Sequence, residues 1–487
     1  MKIIKKIGKV FSVIILFLVY FITSNNTFAT EVYTIATDTT YAPFEWVDTS
    51  GEMIGLDIDL LKAIARNQGF EVTIKALGFN AALQALESNQ VDGVIAGMSI
   101  TEARKAKFNM SDIYFEDDGI VVATKKDSTI QSLDDLKGKH IAIKIGTAGA
   151  TYAQELAEKY GFTTTTFEDS GAMVEAVLSG NSDALFDDSI SIEYTISSAN
   201  VPLKTIKTES PKSIYGFAST KDDKGKSLVE KFNAGLKQLK ESGEYATIVN
   251  KYLGGSSLAV TTQNTQTTVE DTSIIGILRT NGSQIFSGLC QTLLLTFISI
   301  VIALILGMIL GLFSVSHNKV LMFFYQVYID IMRGTPLLVL AFFVYFAIPQ
   351  FFNFKYTDAF LPSLITLGLN AAAYIGELFR AGINAVDKGQ FEASSSLGLP
   401  YHTTMRKVIL PQALKVMIPP FINQFVMTLK DTSILSAIGL VELTQTGRLI
   451  IARTYASGNT WVVVAATYII LITLLTKLSA LLEKKWH

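Results

Sequence analysis

The chain has 487 residues, of which 49% are hydrophobic and 17% charged, with one cysteine and a net charge of −2. Soluble domains carry about 25% charged residues, so this composition indicates a chain that meets two solvents. A single cysteine excludes an internal disulfide framework and a cysteine-based zinc or iron–sulfur site. The near-neutral net charge gives no basic bias towards nucleic acid. The four scattered histidines do not indicate a metal site.

The first 29 residues have the pattern of an export signal peptide. They hold four lysines and no acidic residue, then an apolar stretch over 10–22, and end at a small residue, Ala29. An uncleaved anchor helix is the alternative. Either interpretation places the segment that follows outside the cytoplasm.

Charge divides the remaining chain into two blocks. Residues 30–274 hold 22 basic and 35 acidic residues, about 23% charged, as expected for an acidic soluble domain. Residues 275–487 hold 15 basic and 8 acidic residues, about 11%, which is typical of a membrane domain. Between them, 255–273 is rich in Thr, Gln and Asn without periodicity, which predicts a flexible linker after a domain at 30–254.

Short apolar strands alternate with helical patterns across 30–254. Strand-like runs recur along the block, and residues 58–67 and 81–86 have the apolar spacing of helices. The alternation predicts parallel α/β sheets, and about 225 residues is large enough for two α/β lobes. The predicted strands are 32–36, 72–74, 91–96, 140–145 and 184–186.

Polar residues follow several of these strands, at the sheet edge where α/β folds bind ligands. An arginine with hydroxyl and backbone donors nearby suits a carboxylate, because guanidinium binds it bidentately. A buried aspartate suits an ammonium group. Together these groups match a free α-amino acid, which carries both charges. The residues are Asp38, the run 96–101 with Arg104, Lys144 to Thr147, and the pair Asp187-Asp188.

Residues 31–254 resemble the polar amino-acid-binding proteins of ABC importers, a type II periplasmic-binding-protein-like fold with two α/β lobes joined by a hinge. The most specific match is Ala96-Gly97-Met98-Ser99-Ile100-Thr101, followed by Arg104. Other matching pieces lie at 36–38, 41–44, 55–60, 146–147 and 241–254.

The resemblance implies how the charged ends of a ligand bind. Arg104 would pair with the α-carboxylate, with Gly97, Ser99 and Thr147 donating to the same group. Asp188 would accept from the α-ammonium. The full set of ligand-binding residues implied is Asp38, Tyr41, Phe79, Ala96, Gly97, Ser99, Arg104, Lys144, Thr147 and Asp188.

The resemblance also places the rest of the ligand. Tyr41 and Phe79 would enclose its aliphatic part, while Asp38 and Lys144 would reach the distal end. A distal amide offers both NH2 and C=O, so this pair fits glutamine. Asp187 departs from the family's glutamine binders, which carry histidine there, and this leaves glutamine, glutamate and asparagine open.

Simpler interpretations exist for the same residues. Asp38 and Asp188 could be helix N-caps, and Arg104 could lie on the surface. Tyr41 and Phe79, taken singly, fit core aromatics as well as a ligand site. Only their joint placement at strand ends favours binding.

The block at 274–487 predicts an all-α transmembrane domain. A span needs about 20 apolar residues, and five runs approach this length. With the binding domain outside, five helices place the C-terminus in the cytoplasm, and the basic residues fall in the inner loops. The runs are 285–313, 323–350, 361–386, 414–440 and 459–481.

A cytoplasmic loop at 387–415 carries a second specific motif. It begins Glu392-Ala393, has Gly398 six residues after Glu392, and closes with Leu410-Pro411. This resembles the "EAA" loop of ABC importer permeases, in which two short helices dock into the ATPase subunit. An ordinary amphipathic cytoplasmic helix is the alternative.

Polar residues inside the membrane block mark a candidate translocation path, since charge facing lipid is costly. They are Glu377, Arg380, Asn423 and Gln424. The segment beginning at Arg333-Gly334-Thr335-Pro336 adds to the resemblance to polar amino-acid permeases. The alternative is that these polar side chains only bridge helices.

The chain contains no G-x-x-x-x-G-K-[ST] motif, because the Gly-Lys-Ser at 225–227 has Thr at position 220. We therefore expect a non-enzymatic, multi-pass plasma-membrane protein that takes up a polar amino acid. Glutamine is the first candidate, then glutamate or asparagine. ATP-Mg would bind a separate ATPase subunit, and the permease would form a homodimer. The alternatives are a ligand-gated channel or sensor, or an extracytoplasmic enzyme on the same fold.

Overall fold

The computed structural model describes residues 31–254, 271–316, 318–352, 354–454 and 456–486, with side chains as far as Lys477. The export signal predicted at 1–29 lies outside these residues. So does the predicted linker, apart from its last three positions.

Residues 31–254 form two α/β lobes, here called the N-lobe and the C-lobe. The strands are β1 (Val32–Thr37), β2 (Thr40–Tyr41), β3 (Glu45–Val47), β4 (Met53–Ile54), β5 (Glu71–Ala76), β6 (Gly93–Val94), β7 (Asn109–Met110), β8 (Phe115–Asp117), β9 (Ile120–Lys125), β10 (His140–Lys144), β11 (Thr163–Phe167), β12 (Ala184–Asp188), β13 (Leu203–Lys207), β14 (Ser213–Tyr215) and β15 (Ala218–Ser219). The helices are α1 (Leu56–Gln68), α2 (Phe79–Glu87), α3 (Glu102–Lys107), α4 (Ala148–Tyr160), α5 (Ser170–Ser179), α6 (Ser189–Ser198), α7 (Asp223–Ser242) and α8 (Glu244–Leu253), with a 3₁₀ turn at Leu133–Leu136.

Each lobe is built on a five-stranded sheet. The N-lobe order is β5-β1-β6-β15-β7, and the C-lobe order is β11-β10-β12-β9-β13. The interior strands β1 and β10, one in each sheet, pair in parallel with neighbours on both sides, so the carboxyl ends of the parallel strands open at the same edge of each sheet. The side chains of both strands are mostly apolar, because helices cover the faces of the sheets. This edge is where Asp38 and Lys144 lie.

The chain passes between the lobes twice. Strand β8 leads out of the N-lobe and β14 leads back, and the two pair antiparallel. The first lobe's core includes Ile35, Leu60 and Phe232, and the second's includes Ile141 and Phe186. Because each lobe has its own core, the lobes can turn about the β8–β14 pair.

Residues 271–486 are helical. The elements are α9 (Ile274–Ser314), α10 (Lys319–Gly334), α11 (Leu337–Phe342), a π-helical turn (Phe343–Ala347), α12 (Ile348–Phe352), α13 (Phe360–Asn384), α14 (Lys388–Ser396), α15 (Tyr401–Thr404), a second π-helical turn (Met405–Ile409), α16 (Leu410–Asp431), a 3₁₀ segment (Thr432–Ile438), α17 (Leu443–Thr454) and α18 (Ser457–Trp486). All five predicted apolar runs lie in this helical set.

The runs differ in straightness. Among the described residues, α9 and the Ser457–Lys477 part of α18 are each long and apolar enough to cross a membrane, and two bent pairs raise the number to four. The run at 323–350 bends by 105° between Gly334 and Leu337, where Pro336 lacks the N–H that a continuing helix needs. A second bend, of 48°, separates Tyr401–Ile438 from α17. The third run is α13, 25 residues rich in small and polar side chains.

The two α/β lobes rest on the helical domain of residues 271–486, here called the membrane domain. One apolar cluster includes Leu77 and Phe79 of the N-lobe together with Leu340, Leu435 and Ile438 of the membrane domain. Helix α17 contacts both α5 of the C-lobe and the strands β2 and β3 of the N-lobe.

Candidate functional site

All ten residues predicted to bind ligand line one cleft between the lobes, together with Ala148 and Asp187. The lobes touch across this cleft, leaving a cavity of about 20 Å³. The structure therefore brings the predicted set together, and their role in binding stays a prediction.

Asp38 and Lys144 form a buried ion pair that joins the two lobes. Their side chains are 1% and 2% exposed, and Lys144 Nζ also donates to Ser170 Oγ at 2.9 Å. Burial alone would lower the pKa of Lys144, but the Asp38 carboxylate outweighs this and raises it. The Asp38 contact therefore favours the charged form of the buried Lys144 ammonium.

Two aromatic rings flank the Lys144 ammonium, as expected for the walls of a narrow site. Its Nζ lies 5.0 Å from the ring centre of Tyr41 and 5.9 Å from that of Phe79. The Arg104 guanidinium lies 5.3 Å from the Phe79 ring centre. These distances suit cation–π attraction.

Arg104 spans the cleft from the N-lobe. It donates to the carbonyl oxygens of Ser99, at 2.6 Å, and of Gly146 in the C-lobe, at 3.0 Å. Burial lowers the pKa of Arg104 to about 10, which leaves it charged at neutral pH. A guanidinium has five N–H groups, so it can hold these carbonyls and still donate to a carboxylate.

Two of the predicted donors, Gly97 and Thr147, are already hydrogen-bonded within the protein, and their role towards a ligand stays a prediction. The Gly97 N–H donates to Asp57 Oδ2 at 2.8 Å, so Gly97 can offer only its carbonyl oxygen. The Thr147 hydroxyl donates to the Lys144 carbonyl at 2.8 Å and accepts from Ala150 N–H, capping α4. A ligand carboxylate would meet the N–H groups at the start of α4 rather than this hydroxyl.

The Asp188 carboxylate is fixed by two hydroxyl groups. Its Oδ2 accepts from Tyr41 OH at 2.7 Å and its Oδ1 from Ser213 Oγ at 2.6 Å. Asp188 precedes α6 but makes no side-chain cap there. Its oxygens face residues of both lobes, as an ammonium acceptor in the cleft requires.

Asp187 also lines the cleft and was assigned no role from the sequence beyond its departure from the family pattern. It is 3% exposed. Its Oδ1 accepts from Asp188 N–H at 2.9 Å, while Oδ2 has no hydrogen-bond partner among the described residues. Burial, then the charge of Asp188, raises the pKa of Asp187 to about 7.

A buried carboxyl pair lies behind the cleft and was missed by sequence reasoning. Glu45 and Asp57 are both fully buried, and Asp57 Oδ2 accepts from Tyr114 OH at 2.7 Å as well as from Gly97. Burial raises the pKa of Asp57 to about 6. Burial, then the Asp57 charge, raises the pKa of Glu45 well above its ordinary value.

The predicted coupling loop is a pair of short helices, α14 and α15, joined at a glycine. Gly398 has φ of 71°, in the left-handed region that favours glycine. Glu392 and Ala393 are exposed, and Leu397 is 79% exposed. Leu410 begins α16, with Pro411 in its first turn. The turn therefore presents an apolar side chain to solvent.

The candidate translocation residues fall into two groups. Glu377 pairs with Arg380 at 2.9 Å and with Arg333 at 3.5 Å, and also bonds Tyr325 OH. This cluster joins α10 to α13 near the C-terminal end of α13.

The other two candidate residues lie on α16. Gln424 is buried and donates to Thr428 Oγ1 at 3.3 Å. Asn423 is exposed in the single chain. The structure thus places these two residues on different faces of one helix.

Comparison with known proteins identifies both parts of the chain. Residues 33–255 match the model of bacterial extracellular solute-binding proteins, family 3. Residues 303–487 match the model of the binding-protein-dependent transport system inner membrane component.

Named relatives match the membrane part. The glutamine transport system permease protein GlnP of Escherichia coli (strain K12) is 40% identical over 159 residues, 33% of this chain and 73% of its own length. A protein of Rickettsia prowazekii (strain Madrid E) named for the same permease is 37% identical over 201 residues, 41% of this chain and 92% of its own length.

Solved structures match the receptor part. Substrate-binding domain 2 of Lactococcus lactis GlnP is 40% identical, covering 47% of this chain and 99% of the domain, with a TM-score of 0.36. An ancestral arginine-binding protein bound to glutamine is 33% identical, covering 47% of this chain and all of that protein, with a TM-score of 0.43.

Proposed function

Because the chain belongs both to the family 3 extracellular solute-binding proteins and to the binding-protein-dependent inner membrane components, and is thus the fused receptor and permease of a polar amino-acid ABC importer, we propose that its cargo is glutamine. The receptor lies outside the cell. Relatives of the permease half are named for glutamine transport, which supports this choice.

The observation that carries the proposal is the unpartnered Oδ2 of Asp187 in the cleft. Arg104 is free to receive the α-carboxylate and Asp188 the α-ammonium, while Asp38 and Lys144 neutralise each other. Asp187 is then the group left for the distal end of the ligand. An amide NH2 can donate to it.

The same charge balance ranks the alternatives. Three carboxylates and two cations line the cleft, and the charged α-groups of the ligand cancel each other, so a glutamate side chain would add a further negative charge beside Asp187. Burying that charge unpaired is costly, and glutamate would need an extra proton to bind. Asparagine carries the same amide on a shorter chain and reaches the distal groups less well.

Titration calorimetry of the full chain with the twenty amino acids tests this function. We expect glutamine to bind most tightly, with Arg104→Ala abolishing binding of every ligand and Lys144→Ala changing the ranking. Normal binding by Arg104→Ala would show that the site is misassigned. A preference for glutamate at neutral pH would show that glutamine is not the cargo.

We further propose that a separate ATPase subunit, carrying ATP-Mg, docks on the loop around Glu392–Pro411. This chain's sequence has no phosphate-binding loop of its own. The exposed Leu397 beside Gly398 gives that loop an apolar contact for a partner. This places the loop and the C-terminus in the cytoplasm, opposite the receptor.

The permease would act as a homodimer. One face of α16 carries Val416, Asn423, Met427 and Lys430, all exposed in the single chain. Polar side chains on a membrane helix face a partner or a water-filled path rather than lipid. A second copy would cover this face, and mass photometry of the purified complex should give two copies of the chain.

A further inference from the structure

The N-lobe holds the membrane domain through a short loop that follows α12. Gln90, 1% exposed, donates to the Phe354 carbonyl and accepts from Tyr356 N–H, both at 3.3 Å. Lys75 Nζ donates to the Tyr356 carbonyl at 2.7 Å. One side-chain amide therefore pairs with both the N–H and the C=O of the loop, as a neighbouring strand would.

A charged contact adjoins this amide pairing. Asp92 Oδ1 accepts from Lys355 of the loop and from Lys224 of the N-lobe, each at 2.7 Å. Its Oδ2 accepts from Thr34 N–H at 2.8 Å. Asp92 is thus fixed by its own lobe and presents its charge to Lys355. We call Gln90 and Asp92, with the loop residues they bind, the N-lobe anchor.

The C-lobe meets the membrane domain through a different element. Gly171, in the first turn of α5, packs against Ala452 of α17 so closely that a Cβ at Gly171 would lie 2.6 Å from the Ala452 Cα. Burial raises the pKa of Asp169, the N-cap of α5, and the nearby charge of Arg448 on α17 partly opposes this rise. We call this the α5–α17 contact.

Helix α5 is also tied to the ligand site. Ser170 accepts from the Lys144 ammonium, and its N–H donates to Thr40 Oγ1 of the N-lobe at 3.2 Å. The Ser170–Thr40 bond crosses from the C-lobe to the N-lobe, and so does the Lys144–Asp38 ion pair behind it. Opening the cleft would break both contacts, so they hold the first turn of α5 against the N-lobe in the shut cleft. The position of Gly171 therefore depends on closure.

We propose that the membrane domain holds the N-lobe whether the receptor is open or closed, and detects closure through the α5–α17 contact. On the receptor side, every residue of the N-lobe anchor belongs to the N-lobe, so turning the C-lobe about β8–β14 leaves the anchor intact. The same motion separates Gly171 from Ala452. The inference rests on the proposed function, in that an amino acid is what drives closure.

Cross-linking of the full-length chain in membranes tests the two contacts separately. Both experiments use a Cys290→Ser background. One pair, Thr49→Cys with Gln284→Cys, reports the N-lobe, because Gln284 donates to the Thr49 carbonyl at 2.9 Å. The other, Gly171→Cys with Ala452→Cys, reports the α5–α17 contact.

We expect a short thiol cross-linker to join the first pair equally with and without saturating glutamine. The second pair should form its link at least ~5-fold faster with glutamine, because the ligand shifts the population to the closed state. Adding Arg104→Ala should remove that increase. An equal glutamine effect on both pairs, or none on the second, would overturn the inference.

A functional measurement keeps this inference separable from the cargo assignment. In the complex with the ATPase, Gly171→Leu should leave glutamine affinity within ~3-fold while abolishing glutamine-stimulated ATP hydrolysis, because only the coupling is cut. Ser179→Leu, at an exposed position of the same helix, should leave both unchanged. Retained stimulation in Gly171→Leu contradicts the inference, whereas a wild-type chain that binds no amino acid contradicts the proposed function instead.

Discussion

At the residue scale, the role proposed for Asp187 predicts that the receptor's preference for glutamine over glutamate depends on pH. Its pKa is about 7, raised by burial and then by Asp188, and opposed by Lys144. Below that pH its proton lets it bond a glutamate carboxyl oxygen, and above it two like charges would meet. Glutamate affinity should therefore fall roughly tenfold per pH unit above about 7, while glutamine affinity stays nearly level.

Calorimetry of the full chain between about pH 5.5 and 8.5, a range centred on the pKa of Asp187, measures how glutamate affinity and glutamine affinity each depend on pH. Asp187→Asn should flatten the glutamate slope without removing glutamine binding. A glutamate slope that survives this substitution would assign the titration to another group.

Asp57 makes a separate prediction about stability. Burial raises its pKa from 3.8 to about 6, against the hydrogen bonds from Gly97 and Tyr114. A pKa raised by folding stabilises the fold below the unfolded pKa, and this contribution is lost as pH rises through about 6. The loss is about 3 kcal/mol for two pKa units.

In the Asp57→Asn variant the side-chain amide oxygen can still accept from Gly97 N–H and Tyr114 OH, but the side chain has no proton to lose. Relative to wild type, its receptor domain should become more stable by up to about 3 kcal/mol between pH 4 and 7. Urea unfolding followed at each pH measures the difference. A constant difference across that range would mean that Asp57 does not titrate there.

Sequence reasoning found the residues that line the cleft, but not which of their donor and acceptor atoms are already hydrogen-bonded within the protein. The strand-end rule and the family motif placed Asp38, Arg104 and Lys144 together correctly. The Gly97 N–H is taken by Asp57, a partner 40 residues away that no local pattern reports. The Thr147 cap is local, since Thr147 accepts from Ala150 N–H, but Thr at this position fits a helix cap and a ligand donor equally well.

At the element scale, the α14–α15 turn predicts a single-residue hot spot. Leu397 is 79% exposed at the turn where Gly398 ends α14. Replacing an apolar anchor by a charge costs an interface about 2 kcal/mol or more, so Leu397→Asp should reduce recovery of the ATPase with the chain by more than tenfold. Co-purification measures this.

The control for that prediction is Ser395→Asp, a neighbouring exposed position of the same helix, which should retain the ATPase. Glutamine binding should be normal in both variants, since the receptor lies on the other side of the membrane. Equal recovery of the ATPase from the two variants would place the docking surface elsewhere.

The sequence predicted where the membrane helices lie better than it predicted how they bend. Apolar runs locate helices because a bilayer demands internally satisfied backbone, and each predicted run proved helical. The bend of 105° after Gly334 was not predictable in size, because Pro336 marks a break but packing sets the angle. Two π-helical turns, at 343–347 and 405–409, likewise have no sequence signal.

At the scale of the whole molecule, covalent fusion allows the receptor to work with the permease through a small docking surface. The N-lobe docks through the few polar contacts of the N-lobe anchor, with Asp92 and Lys355 as its ion pair, and through the apolar cluster that includes Leu77 and Ile438. We expect this limited surface alone to give weak association. A tethered partner acts at an effective concentration of about millimolar. A chain split within 255–270 into separate receptor and permease should therefore transport glutamine only when receptor is supplied near that concentration.

Uptake into proteoliposomes, with receptor added inside or outside over about micromolar to millimolar concentrations, measures this dependence. The intact chain should show none, because its receptor never leaves. Substituting Asp92→Asn in the split receptor should shift the half-saturating concentration upward, whereas Ser179→Leu should not. Full uptake at micromolar receptor would mean that docking is strong without the tether, and that fusion serves some purpose other than concentration.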